Sequence, residues 1–200
     1  GLKQSLLAMM TLPGIPVIYY GTEQGLQEQR AAMFKPGFGA NGQDHFNQQS
    51  ELYQYIKTIS ELRKSNKVLT HGRPKQLKAN ASGVGVLAYK MSTGQDAVYV
   101  MFNSADHAVL LDNMDTGLPE GTVLSAVYSI KPWNTPIIVG SNGVLSLALP
   151  ARTGLVLRAS GQQNKLPANA ALSIDIGKDS VFSDDFTVTG KASQAFQLVL

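Results

Sequence analysis

The sequence predicts two kinds of fold in one chain, an α/β unit followed by an antiparallel β-sandwich. Three observations predict them. An apolar helical pattern runs into "IPVIYY" at residues 15–20, a continuous β-branched and aromatic run. A second helical pattern follows a long polar loop. Beyond Val68 the chain breaks into short alternating segments separated by glycine, asparagine and aspartate. Helix, buried strand, loop and helix form the grammar of an α/β sheet, and short alternating runs with turn signals form that of a sandwich.

Taken in order, residues 4–12 carry helix formers, with Leu6, Leu7, Met9, Met10 and Leu12 apolar, and Pro13 and Gly14 stop the helix. Residues 15–20 lack polar alternation and read as a strand covered on both faces, as in a parallel sheet. Residues 21–49 are polar and glycine-rich, with "KPGFGANGQ" at the centre. A loop of that length inside a compact unit is usually functional or disordered. Ser50 is positioned to cap a helix reaching Asn66, whose apolar face is Leu52, Tyr53, Ile56, Ile59 and Leu62. "LTHGRPKQL" reads as a connector. Strands are expected at 84–91, 97–103, 108–111, 122–129, 136–139, 144–149 and 154–158. A polar linker at 160–170 precedes a tail that alternates again and suits two to four further strands.

Composition narrows the function classes. The chain has 200 residues, which suit one or two domains, and 17 basic against 14 acidic residues. That small excess is not concentrated enough to bind nucleic acid. Lys57, Arg63, Lys64 and Lys67 gather around one helix and its end, where cations suit the helix dipole, and read as a solvated face. Without cysteine there are no disulfides and no thiolate chemistry. No apolar run approaches the ~20 residues of a membrane span. The first residues, "GLKQSLLAMMTLPG", lack a small-residue cleavage pattern and suit a helix packed on a sheet.

"LPGIPVIYYGTEQG" at residues 12–25 closely resembles the last barrel strand of the α-amylase family of glycoside hydrolases. The matching residues are Pro13, Gly14, Pro16, Ile18, Tyr19, Tyr20, Gly21, Glu23 and Gly25. "RAAMF" at 30–34 and "GFGANGQDHF" resemble the loop that follows in bacterial members, and "LYQYIKTISELRKSNKVLTHG" resembles the last barrel helix and its exit. "VLAYKMSTGQDAVYVMFNSADHAVLL" and "LPARTGLVLRAS" are similar to the start and end of the family's C-terminal sandwich. The resemblance spans residues 6–160. It implies the end of a (β/α)8 TIM barrel (last strand and helix) over 1–68, an antiparallel β-sandwich domain over 69–160, and a linker with an extra β segment over 161–200.

The same resemblance implies chemistry. Family members retain anomeric configuration, which takes two carboxylates about 5 Å apart across the scissile bond. Their aspartate nucleophile, glutamate acid/base and supporting aspartate come from earlier barrel strands, and none has a counterpart here. The chain is therefore expected to be a C-terminal fragment of an enzyme acting on α-1,4-glucans, with no catalytic residue of its own and no activity alone. Tyr20 and Glu23 would stand at the strand's C-terminal end, where barrel active sites lie. A tyrosine ring offers a flat apolar face and a hydroxyl to a sugar, and Gly21 lets the backbone turn sharply. Glu23 is expected to hydrogen-bond the rim or to contact sugar, and a catalytic pairing with Asp44 is disfavoured. Arg30 is either a planar fork that orients a carboxylate or a surface residue. Trp133 in "IKPWNTP" either stacks on a glucan ring or plugs the loop.

Asp44 and His45 read as loop residues, and Asp112 and Asp115 as turn formers. No cofactor is expected, and calcium would belong to barrel residues of the parent enzyme. The expected partners are an α-glucan or maltooligosaccharide, together with upstream barrel residues of the parent chain. Failing those, self-association would cover the apolar faces of 6–10 and 15–20, or the segments would rearrange. Neither nucleic acid nor membrane is expected. The alternative is a non-catalytic carbohydrate-binding or packing β module, which a row of exposed aromatics including Trp133 and Tyr128 would favour.

Overall fold

A computed structural model of the chain describes residues 1–94, 96–163, 172–174 and 190–192. Helix α1 spans Leu2–Thr11 and ends as Pro13 and Gly14 turn the chain, Gly14 taking a φ of 110°. Helix α2 spans Glu51–Ser65, and Ser50 caps it by accepting the Tyr53 N–H at 3.2 Å. A short helix α3, Lys67–His71, follows at once. Eight strands come next: β1 Arg73–Ala79, β2 Val86–Thr93, β3 Asp96–Asn103, β4 Val109–Asp115, β5 Thr122–Ser129, β6 Ile137–Ile138, β7 Val144–Leu149 and β8 Thr153–Gln163. They form an antiparallel six-stranded sheet ordered β1-β2-β3-β8-β5-β6 and a separate antiparallel pair, β4-β7. The expected segment at 161–200 lies largely outside the described residues. Within it, β9 (Leu172–Ile174) pairs antiparallel with β10 (Gly190–Ala192).

The large sheet is the middle of three layers, and strand alternation decides which side chain meets which layer. On β3, Tyr99 and Met101 join Leu111, Met114, Leu145 and Leu147 of the β4-β7 pair in one core. Val98, Val100 and Phe102 point the other way, into a second core with Leu6, Leu7 and Met10 of α1, Ile59 and Leu62 of α2, and Val68 and Leu69 of α3. The helices and the sheet therefore share a core. Leu7 sits so close to Gly154 that a Cβ there would lie 2.8 Å from Leu7 Cδ2 and 3.0 Å from Phe102 Cε1.

Four expectations change. Residues 15–20 form no strand. They run extended, with Ile15 91% and Val17 77% exposed while Pro16 and Ile18 are partly covered. A strand needs neighbours for its backbone groups, and none of the described strands runs beside this one. The apolar face of α1, expected to pack on a sheet and to find cover from upstream residues, a second copy or a rearrangement, is buried on the antiparallel sheet of this same chain. The connector holds the end of α3 and strand β1, which sequence periodicity missed because β1 is an edge strand, exposed at every position but Leu77. Its Arg73, Pro74, Lys75 and Lys78 suit an edge that must not pair with another chain.

The fourth change concerns Arg63, which is buried rather than solvated. Its Nη1 donates to the carbonyls of Met10 (2.7 Å), Leu12 (2.9 Å) and Leu69 (2.9 Å), and its Nη2 to that of Gly14 (2.7 Å). Burial pulls its pKa down, but a guanidinium keeps its charge in proteins. One side chain thus ties the end of α1, the turn after it and α3 together.

Two predictions follow from this packing. Arg63→Leu leaves buried carbonyls without donors and should lower unfolding stability by about 2–4 kcal/mol in urea titration, and an unchanged midpoint would contradict the clamp. Gly154→Ala should cost about 1–3 kcal/mol through overpacking against Leu7 and Phe102, whereas a neutral result would mean that α1 does not sit on the sheet.

Candidate functional site

The extended run ends at Tyr19 and Tyr20, whose rings lie 4.6 Å apart. Gly21 then turns the chain at a φ of 83°, and a Cβ there would meet Leu26 Cδ1 at 2.6 Å. A 3-10 turn, Thr22–Gln24, carries Glu23 and ends at Gly25, again in the left-handed region. The Ser50 hydroxyl that accepts from α2 also donates to the Glu23 carbonyl at 2.6 Å, so the helix cap holds the turn. Gln24 and Asn47 close the two ends of the loop with reciprocal bonds of 3.2 and 2.9 Å.

Inside the loop, the Asp44 carboxylate accepts the Lys35 N–H at 2.7 Å and Met33 accepts the His45 N–H at 2.8 Å. His45 Nε2 meets the Ala40 carbonyl at 3.1 Å. The loop is thus ordered by its own polar groups, and Asp44 and His45 are used within it.

This arrangement brings Tyr20 and Arg30 to one cleft of ≈ 170 Å³, with Tyr19, Thr22, Leu26, Glu28, Gln29 and Ala31 completing the wall. The Tyr20 phenol is pushed above its ordinary range, first by its hydrogen bond with Tyr19, and the Arg30 cation pulls the other way. Arg30 itself takes a φ of 60°, rare for a residue with a side chain, at the bend that aims it. Apolar ring faces beside a fork of donors can hold a polyhydroxylated ligand by stacking and hydrogen bonding together.

Glu23 lies on the neighbouring turn, half-buried. Among the described residues its carboxylate makes no hydrogen bond, and its carbonyl holds the rim instead. Trp133 is not brought to the cleft. It lies between β5 and β6, half-buried on the core between the sheets, and its indole N–H donates to Thr135 at 2.7 Å. Tyr128 packs on the opposite face of the large sheet, edge-on to Tyr55 at 6.4 Å. The two rings therefore form no row.

Asp112 accepts from Ser146 at 2.7 Å and Asp115 from the Gly117 N–H at 2.9 Å, both within the β4-β7 region. A larger and mostly apolar cleft of ≈ 430 Å³ opens between Met10, Pro16, Ile18, Ser60, Arg63, Lys64 and Thr70. It adjoins the exposed run and lacks the tyrosine pair. Sequence reasoning missed Glu28 and Gln29 in the cleft wall, which a polar loop of mixed composition gives no signal to single out.

A Tyr19→Phe substitution removes the hydroxyl that raises Tyr20. Tyr20 should then titrate at lower pH than in the parent chain, read from ring carbon shifts across the alkaline range. An unmoved titration would mean that the two hydroxyls do not interact.

No protein-family model matches the chain. It is 33% identical over 145 residues to a cyclomaltodextrin glucanotransferase of Geobacillus stearothermophilus, covering 70% of this chain and 18% of that protein. It is 32% identical over 190 residues to the cyclomaltodextrin glucanotransferase of Klebsiella oxytoca, covering 91% and 25% respectively. The crystal structure of an α-amylase from Geobacillus thermoleovorans superposes with a TM-score of 0.60 at 19% identity, over 78% of this chain and 32% of that one. The chain spans a quarter or less of these two curated relatives. Across that span the sequence likeness and the shared fold agree, and the chain belongs to the α-amylase family as a C-terminal part of such an enzyme.

Proposed function

We propose that this chain supplies one wall of a glucan-binding cleft, and the β-sandwich behind it, to a larger α-amylase-type glycosidase. Residues 1–68 are the end of its (β/α)8 barrel and residues 69–160 its C-terminal sandwich. The observation that carries this reading is the cleft shared by Tyr20 and Arg30 at the mouth of an extended, unpaired apolar run. An outward row of Ile15, Val17 and Tyr19 is what a strand presents when its sheet is completed by other parts of the protein. Relatives named cyclomaltodextrin glucanotransferase support an α-glucan or maltooligosaccharide as the ligand.

In this reading the Tyr20 ring face packs on a pyranose and the Arg30 guanidinium donates to its hydroxyls. Both act on binding and orientation, which raises the fraction of substrate held for attack. Glu23 stands next to the sugar path, fixed by its backbone. Retaining hydrolysis or transfer through a glycosyl intermediate needs a carboxylate nucleophile and a carboxylic acid on opposite sides of the glycosidic oxygen. Among the described residues Glu28 is the one carboxylate lining this cleft, so those two groups are assigned to the barrel strands that precede this chain. The packing of Trp133 and Tyr128 on opposite faces of the sheet weighs against a separate carbohydrate-binding module.

The test is a reducing-end and cyclisation assay on maltoheptaose, run on the longer protein that contains this chain and on the 200-residue chain alone. The longer protein should turn over and the isolated chain should not. Turnover by the isolated chain would overturn the reading and make Glu23, Glu28 and Asp44 the acids to substitute.

A further inference from the structure

Phe38 stands in the loop at a position built to hold a ring in solvent. The Gly37–Ala40 segment is a β-turn closed by the Ala40 N–H on the Gly37 carbonyl at 3.3 Å, with Gly39 third at a φ of 70°. The turn packs closely on Ala31 and Ala32. A Cβ on Gly37 would fall 2.1 Å from Ala32 Cβ, and one on Gly39 would lie 3.1 Å from Ala31 Cβ and 3.2 Å from Ala31 Cα. Glycine on both sides is therefore what allows this close approach. The Ala32 N–H donates to the Phe38 carbonyl at 2.7 Å, fixing the backbone two residues from Arg30. Yet the Phe38 ring is 72% exposed. Phe34 and Phe46 pair edge to face at 5.0 Å in the same loop, and both are also exposed.

Among the described residues the remaining phenylalanine, Phe102, is buried in the core, in contrast to these three exposed rings. The turn is anchored on Ala31, which lines the Tyr20–Arg30 cleft, and on Ala32 next to it, so the exposed Phe38 ring is carried by the backbone beside that cleft. Bound sugar is a fitting occupant, because the C–H faces of a pyranose stack on such a ring while its hydroxyls stay hydrated.

Resting on the functional reading above, we propose that Phe38 is a specificity-determining residue. It stacks on a sugar ring beyond those held by Tyr20 and Arg30, and so favours longer maltooligosaccharides over short ones.

The experiment measures KM for maltotriose and maltoheptaose in the longer protein that contains this chain, for the parent, Phe38→Ala and Phe38→Trp. Phe38→Ala should raise KM for maltoheptaose about tenfold and leave that for maltotriose unchanged, while Phe38→Trp keeps the preference. An unchanged preference in Phe38→Ala overturns the proposal. So does an equal rise in KM for both sugars together with a lowered thermal midpoint, since the ring would then be a structural element of the loop. A longer protein that turns over neither sugar overturns the functional reading itself, a different result from one that uses both with no role for Phe38.

Discussion

Everything on the helical side of this molecule hangs on one buried cation. Arg63 reaches from α2 to carbonyls on α1, on the turn after it and on α3, and among the described residues no carboxylate pairs with it. A carbonyl at a helix end needs a donor once it leaves water, and a guanidinium has five N–H groups in one plane. Leucine or methionine would fill the same space and satisfy none of these carbonyls. With the turn at Leu12–Gly14 fixed, the extended run has a defined start. Pro16 and Ile18 rest on the helices, and Tyr19 and Tyr20 arrive at the mouth of the loop.

The loop depends on a second economy of groups. Ser50 serves α2 as its cap and serves the Glu23 turn as a donor, so the helix start and the cleft rim share one hydroxyl. From there the wall is backbone geometry: left-handed glycines at Gly21 and Gly25, an uncommon φ at Arg30, and a glycine-flanked turn lying on Ala31 and Ala32. The sheet behind is rigid because β3 is buried on both faces, one against the helices and one against β4-β7.

Much of this was legible in the sequence. Strands β5 and β7 fall where alternation places them, and the Ser50 cap follows from residue type alone. Tyr20 and Arg30 were legible through family likeness, ten residues apart but in one cleft. Other features depend on tertiary context. Arg63 looks like its charged neighbours Lys57 and Lys64, and only the fold shows that its position on α2 turns inward. β1 has no buried face and hence no hydrophobic period. Residues 15–20 carry strand composition, but pairing partners decide whether such a run becomes a strand, and propensity cannot supply them. Trp133 looks like a sugar platform by type and packs inward by position.

The central claim is that sugar meets this chain along the Tyr20–Arg30 loop and not on the sandwich. Amide chemical-shift mapping of the isotope-labelled chain with maltoheptaose tests it most directly. The account predicts shifts confined to residues 19–46. Shifts centred on Trp133 and the β5-β6 connection, with the loop silent, would contradict it.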